Sequence, residues 1–479
     1  MGTIAAQEGS TSARSIVEGR QGRVAPARRI TPVNADLLAV VAIVVVGTIV
    51  AWLRLPATTS DTLWAEDSRN FIGNAVAQGP VAPLFRVYAG YLHTVPRIIA
   101  GVTVTTVPVV QWAHAMALGS CVVVAVVAAA VFFCARVVSE SWWVRLALAA
   151  ITILVPLAPR EVLGNTANLH WYFLWLAPWL ILYRSRSTRG TVALTVIAAL
   201  GALTEVQMLA FVPLLALRWK TGARLPVRVA LLGGGTLQVI AYLSSPRGHT
   251  PNAPNDTSST VLGYLINSAM TMWNANEHVI GRALVHFGPA AGVAALVPVA
   301  VAAVWALRLG TRDQRWLVVT FLAASVVLWV VAVKMSPGPY YEYSAFPSSR
   351  LADPWLSRYG VVPSMELLAV IVIALGIRFR PLGAAEPTSQ QSRRVPFGRI
   401  AVGAVVLSLV LVSFVPASTR RSVGPEYTPQ VMAAERACVG RPSSTPVVLV
   451  SPPKAAWKIY LDCGRLPQVA AAKTPVRAG

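Results

Sequence analysis

Residues 35–53 read ADLLAVVAIVVVGTIVAWL, and residues 63–71, soon after, read LWAEDSRNF. The first stretch is almost wholly apolar and, as a helix, spans roughly the 30 Å of a bilayer's hydrocarbon core. The second sets two adjacent carboxylates, Glu66 and Asp67, just beyond it, in a chain with 41 Lys and Arg against 19 Asp and Glu. Comparable apolar runs recur at about Met116–Ala135, Val144–Leu157, Leu169–Tyr183, Thr191–Val206, Leu209–Leu217 (short) and Val229–Leu243. Others follow at about Phe287–Leu307, Trp316–Lys334, Tyr359–Ile377 and Ile400–Phe414. They predict an all-α polytopic membrane protein with about eleven transmembrane helices. A hydrophobic content of 55% and a mean hydropathy of +0.59 over 479 residues exclude an ordinary soluble protein. A porin-like barrel would show short alternating segments instead.

The net charge of +22 raises nucleic acid as a partner, and its placement argues against it. The bases sit in short loops between the apolar runs: Arg184, Arg186 and Arg189; Arg218, Lys220, Arg224 and Arg228; Arg308, Arg312 and Arg315; Arg378, Arg380, Arg393, Arg394 and Arg399. Arg14, Arg20, Arg23, Arg28 and Arg29 precede the first helix. This positive-inside pattern predicts a multi-pass plasma (inner) membrane protein with a cytoplasmic N-terminus and an extracytoplasmic C-terminus. The expected partner is the lipid bilayer, not nucleic acid. The first helix is too long for a signal-peptide core and reads as an uncleaved anchor.

Three parts follow: a polar, disordered cytoplasmic tail (1–32), a membrane domain (33–416) with a long first outer loop (56–115), and a small extracytoplasmic α/β segment (417–479). Within the first outer loop, His93–Gln111 is apolar but carries Pro96, Arg97 and Pro108, so it reads as surface-lying or re-entrant helix. In the last segment, Pro446–Val450 and Trp457–Leu461 read as short strands or a strand and a helix. Cys121 and Cys134 read as buried apolar residues, whereas Cys438 and Cys463 lie in a segment where a disulfide between them is compatible with export.

The outer loops collect the polar groups able to do chemistry. Glu66 and Asp67 are candidate acids for proton abstraction. Arg358, Arg350, His170, His93, Arg97, Tyr359 and Asn168 are candidates for binding a phosphate or a sugar. Each has a structural alternative. Asp67 can cap a surface helix, Arg358 and Tyr359 can anchor at the interface, and His170 with Trp171 can sit in the aromatic belt. Glu205, near the outer end of a predicted span, is read either as a functional intramembrane acid or as the marker of a turn between two spans.

In this arrangement (a first helix, a long outer loop with an acidic pair, surface-lying helices inside it, a polar outer segment at the end) the chain resembles the GT-C superfamily of polytopic membrane glycosyltransferases, actinobacterial type. The resemblance implies a cell-envelope transferase that moves a sugar from a polyprenyl-phosphate donor to a glycan or lipid acceptor by inverting displacement. It implies Asp67 or Glu66 as the general base, with Asp67 favoured because an aspartate is usual there, and an arginine on the leaving phosphate. Some members hold a divalent metal between the first two outer loops. Here the second loop offers Glu161 and no Asp-x-Asp, so no metal ligands are assigned and no cofactor is fixed, with a divalent metal left as an open alternative. The alternative function is a transporter or flippase of envelope precursors.

Overall fold

The computed structural model describes residues 32–245, 255–377, 397–416, 418–453 and 457–466. The expected tail 1–32, except Pro32, lies outside them, as do Arg378, Arg380, Arg393, Arg394 and residues 467–479.

The chain is mostly helical, with one small two-stranded sheet. Backbone polar groups in hydrocarbon must be satisfied within their own segment, so long apolar runs fold as helices. Among the described residues six helices are long and apolar enough to cross a membrane: Val109–Val137, Trp142–Glu161, Leu225–Ser244, Ala290–Leu309, Arg312–Met335 and Arg358–Leu375. The pair Thr188–Ala202 and Val206–Leu217, bent by 118°, makes a seventh if it counts as one broken span. The other apolar runs expected to span are shorter helices, Leu37–Leu53 and Gly403–Ser413 within the searched residues, and Leu169–Leu182. The last has 14 residues, all buried. At about 1.5 Å per residue it is shorter than a hydrocarbon core, so it is a central strut walled in by protein rather than a lipid-facing span.

Hydrogen bonds sort the loops to two ends. At one end Arg186 meets Glu140 at 3.3 Å, Gln314 Nε2 donates to the Val138 carbonyl at 2.7 Å, and Arg218 pairs with Asp313. Ala223 N donates to Ile181 O at 2.8 Å at that same end. The basic loops around 136, 184, 220 and 312 therefore gather together. Because Leu182 and Arg218 lie at this end, Val206–Leu217 returns toward it after the bend. Glu205 makes the bend: its carboxylate accepts the Gln207 amide at 2.5 Å, capping the returning segment.

The opposite end carries the first outer loop and the last segment, joined in one core. The helix Tyr427–Cys438 and the antiparallel strands Pro446–Ser451 and Trp457–Asp462 bury Tyr427, Val431, Leu449 and Ile459 against Leu63, Phe71, Ile72 and Trp112. Cys438 and Cys463 are joined by a disulfide, with their Cα atoms 5.5 Å apart. So short a segment has little core of its own, and it borrows the loop's. The loop's 94–106 stretch is a 13-residue helix packed on this layer.

Candidate functional site at the loop end

The acidic pair is held by contacts far away in sequence. Arg54, buried at the exit of the first helix, donates to the carbonyls of Phe414, Ser413, Val155 and Ile153. Asp61 accepts from the Thr428 amide and, at 2.6 Å, from its hydroxyl, close to the start of the helix Tyr427–Cys438. Ala65 donates its amide to Pro452 O at 2.9 Å and adopts φ +42°, a left-handed conformation that costs a residue with a Cβ of order 1 kcal/mol. That strained residue sets the directions of Glu66 and Asp67.

The two acids have opposite surroundings. Asp67, 2% exposed, accepts from the Thr166 hydroxyl at 2.6 Å, the Thr166 amide at 3.1 Å and the Ala167 amide at 2.9 Å. It begins the helical turn Asp67–Ile72, as the capping alternative expects, but its side chain caps the Thr166–Asn168 turn of the second outer loop. Burial pushes its carboxyl up to about 6, against the pull of these hydrogen bonds and of Arg421. Arg421 is itself buried and gives both terminal nitrogens to Leu163 O and Gly164 O. Glu66 is half-buried and, among the described residues, makes no hydrogen bond or ion pair, while lying within electrostatic range of Arg358.

Arg358 pairs with Glu161. From there a run of rings crosses the loop end. Tyr341 stacks on Tyr359 (5.7 Å between centroids), Tyr359 meets Trp171 (5.6 Å), and Trp171 meets His170 (4.4 Å). His170 Nδ1 is bound by the Glu205 carboxylate. Tyr91 lies between His170 (6.3 Å) and His93 (4.0 Å), and Phe71 links His93 to the Arg97 guanidinium, 5.4 Å from its ring. Burial, then His170 and Arg97, holds His93 well below its ordinary range, so it is neutral. Arg97 gives Nη1 to Asn70 O, and its Nε and Nη2 are buried without partners among the described residues. Burial lowers it to about 10, with Arg86 adding to the effect, so it stays charged.

Comparison with protein-family models, curated proteins and solved structures finds no match.

Of the residues singled out in the sequence, Glu66, Asp67, Arg358, Tyr359, His170, His93, Arg97 and Asn168 (whose amide reaches Glu161 O at 3.4 Å) belong to this one layer. Arg350 does not. It lines a cavity of about 330 Å³ together with Arg160, Trp355 and Arg420. Sequence reasoning missed the pairing of His170 with Glu205 and the role of Arg421. It also passed over Glu366, a second acid inside a predicted span, visible in the sequence as SMELL at 364–368. Glu366 is fully buried and both carboxylate oxygens lack partners among the described residues. Of the carboxylates of the first two outer loops, Asp61 is committed to Thr428, Asp67 to Thr166 and Ala167, and Glu161 to Arg358, which leaves Glu66 as a single uncommitted ligand among the described residues. Among the described residues the grouping able to offer three ligand atoms is Glu277, His278 and Asp353, elsewhere at the loop end.

Proposed function

We propose that this chain is a membrane glycosyltransferase of the GT-C type, taking a sugar from a polyprenyl-phosphate donor to a glycan or lipid acceptor of the cell envelope. The observation that carries this reading is that the acidic pair of the first outer loop is tied by Asp67 to Thr166 and Ala167 of the second, whose Glu161 holds the Arg358 guanidinium, while Glu66 beside it has no hydrogen-bond partner among the described residues. An inverting transfer needs both signs of charge at one place. A carboxylate takes the proton of the acceptor hydroxyl as that oxygen bonds to the anomeric carbon. The bond from that carbon to the donor phosphate breaks, its electron pair leaves with the phosphate, and a guanidinium meets the growing negative charge.

In this reading Glu66 is the base, and Asp67 positions it by tying the first outer loop to the second. The Tyr341–Tyr359–Trp171 rings and His170 supply flat faces and a hydrogen-bonding group for a sugar. The basic loops at the other end support a cytoplasmic placement for that side, which would put the reaction on the exported face of the plasma membrane.

Membranes carrying the wild type or Glu66→Gln, supplied with a radiolabelled polyprenyl-phosphate sugar, test this. Label moved by the wild type alone supports the assignment. Equal transfer by both removes Glu66 as base, and no transfer by the wild type removes the donor class. The alternative, a transporter or flippase, is favoured by Glu366, because unpaired acids inside spans mark ion pathways in many membrane proteins.

A further inference from the structure

Arg160 and Glu161 are neighbours in the chain but serve different surroundings. Glu161 goes to Arg358, whereas Arg160 pairs with Glu277 on the wall of the 330 Å³ cavity, which Tyr340, Arg350, Trp355 and Arg420 also line. The Arg420 guanidinium lies 3.2 Å from the centroid of the Trp355 ring, and Trp355 stacks on Tyr340 with centroids 4.9 Å apart. Stacking occupies the faces of a guanidinium and leaves its N–H edge for a ligand lying in its plane. Arg420 gives Nη2 to Leu356 O at 3.4 Å and Arg160 gives Nη1 to Ala275 O at 3.4 Å, while the Nε of each is buried in the wall, so the other terminal nitrogens are the ones left for a ligand. Arg350 is exposed, with its guanidinium 3.9 Å from the Phe346 ring.

The charges do not cancel. Three arginines face two acids, Glu277 and Asp353, and Glu277 is already engaged by Arg160 and the Ser418 hydroxyl. A surplus positive charge, a guanidinium held flat against an aromatic stack and room for about one hexose together define the ligand class. We infer that this cavity binds a monosaccharide unit through an oxyanion that it carries, a phosphate or a carboxylate. Its place as the acceptor side of the transfer rests on the function proposed above; the binding itself does not.

Isothermal titration of the purified full chain in detergent, without any donor, tests the inference. The probes are glucose 6-phosphate, glucuronate, glucose and inorganic phosphate. At least one of the two anionic sugars binds about tenfold or more tighter than glucose, and which one does so tells phosphate from carboxylate. Arg420→Gln and Arg350→Gln each weaken that binding by about tenfold, and Arg436→Gln, on the distant helix surface, leaves it unchanged. Arg350 is exposed, so its variant keeps the test open if Arg420→Gln misfolds. Failure of both anionic sugars to bind, or binding unaffected in both cavity variants, overturns the site. Inorganic phosphate binding as tightly as glucose 6-phosphate overturns the carbohydrate assignment. Because binding is read without turnover, a failure here is distinct from a failure of Glu66→Gln to abolish transfer.

Discussion

The Asp67 carboxylate receives the Thr166 hydroxyl at 2.6 Å, so an acid of the first outer loop caps a turn nearly a hundred residues later in the second. Its folded-state carboxyl titrates near 6, above the ordinary carboxylate range, because burial outweighs the donors around it. For an acid raised in this way, the folded state holds its proton more tightly than the unfolded chain. The contribution to stability is full below about 4 and is lost as pH rises through about 6, to the extent of roughly 3 kcal/mol. The apparent melting temperature of the wild type should therefore fall between pH 4 and 7 relative to Asp67→Asn. Parallel curves for the two proteins would reject this account.

Glu66→Gln should lower transfer by about a hundredfold or more, the scale of a lost general base, with little change in melting temperature, since Glu66 is half-buried and makes no hydrogen bond or ion pair among the described residues. Asp67→Ala should do the reverse first. It strands the Thr166 and Ala167 amides in a buried place and costs about 3 kcal/mol in stability. A melting temperature unchanged in Asp67→Ala would show that the cap carries no weight.

Gly360 lies directly after the Arg358-Tyr359 pair, and a Cβ there would meet Asn267 O at 1.8 Å. That neighbour is backbone, pinned by its own side chain, which accepts the Ser357 amide and donates to Tyr343 Oη. Gly360→Ala should destabilise by about 1–3 kcal/mol and displace Arg358 from Glu161. Wild-type stability and transfer rate in this variant would mean the contact is loose.

A non-reducing peptide map should recover Cys438 and Cys463 in one linked fragment. Replacing both by Ser should cost up to about 3.5 kcal/mol, the scale for closing a loop of this length. Because these residues share a core with Leu63 and Phe71, the replacement should also impair transfer. Two free thiols in the map would remove the link.

Glu366→Gln separates the two functional readings. A glycosyltransferase acting at the loop end should keep its rate, because Glu366 lies within a span and its carboxylate makes no hydrogen bond to a site residue among the described residues. Loss of a pH-driven substrate flux in proteoliposomes, with transfer absent from the wild type, would favour the transporter.

Much of this molecule was legible in its residues. Apolar runs had to become helices because lipid offers the backbone no partner, and the short basic loops around 136, 184, 220 and 312 meet at one end, while other arginines are built into the loop end. Helices were expected, and occur, even where they proved too short or too bent to count as full spans, as at Leu169–Leu182 and at Glu205. The acidic pair, the basic loops and the two outer cysteines were visible as candidates. What required coordinates was which neighbour does what. Glu66 and Asp67 are adjacent, yet a left-handed Ala65 and donors from Thr166 and Ala167 bury one and leave the other free. Arg350 and Arg358 look alike in sequence and line separate places. Hydropathy is a property of each residue and can be read in order along the chain, whereas hydrogen bonds between loops depend on where a hundred intervening residues return, which only the folded packing decides.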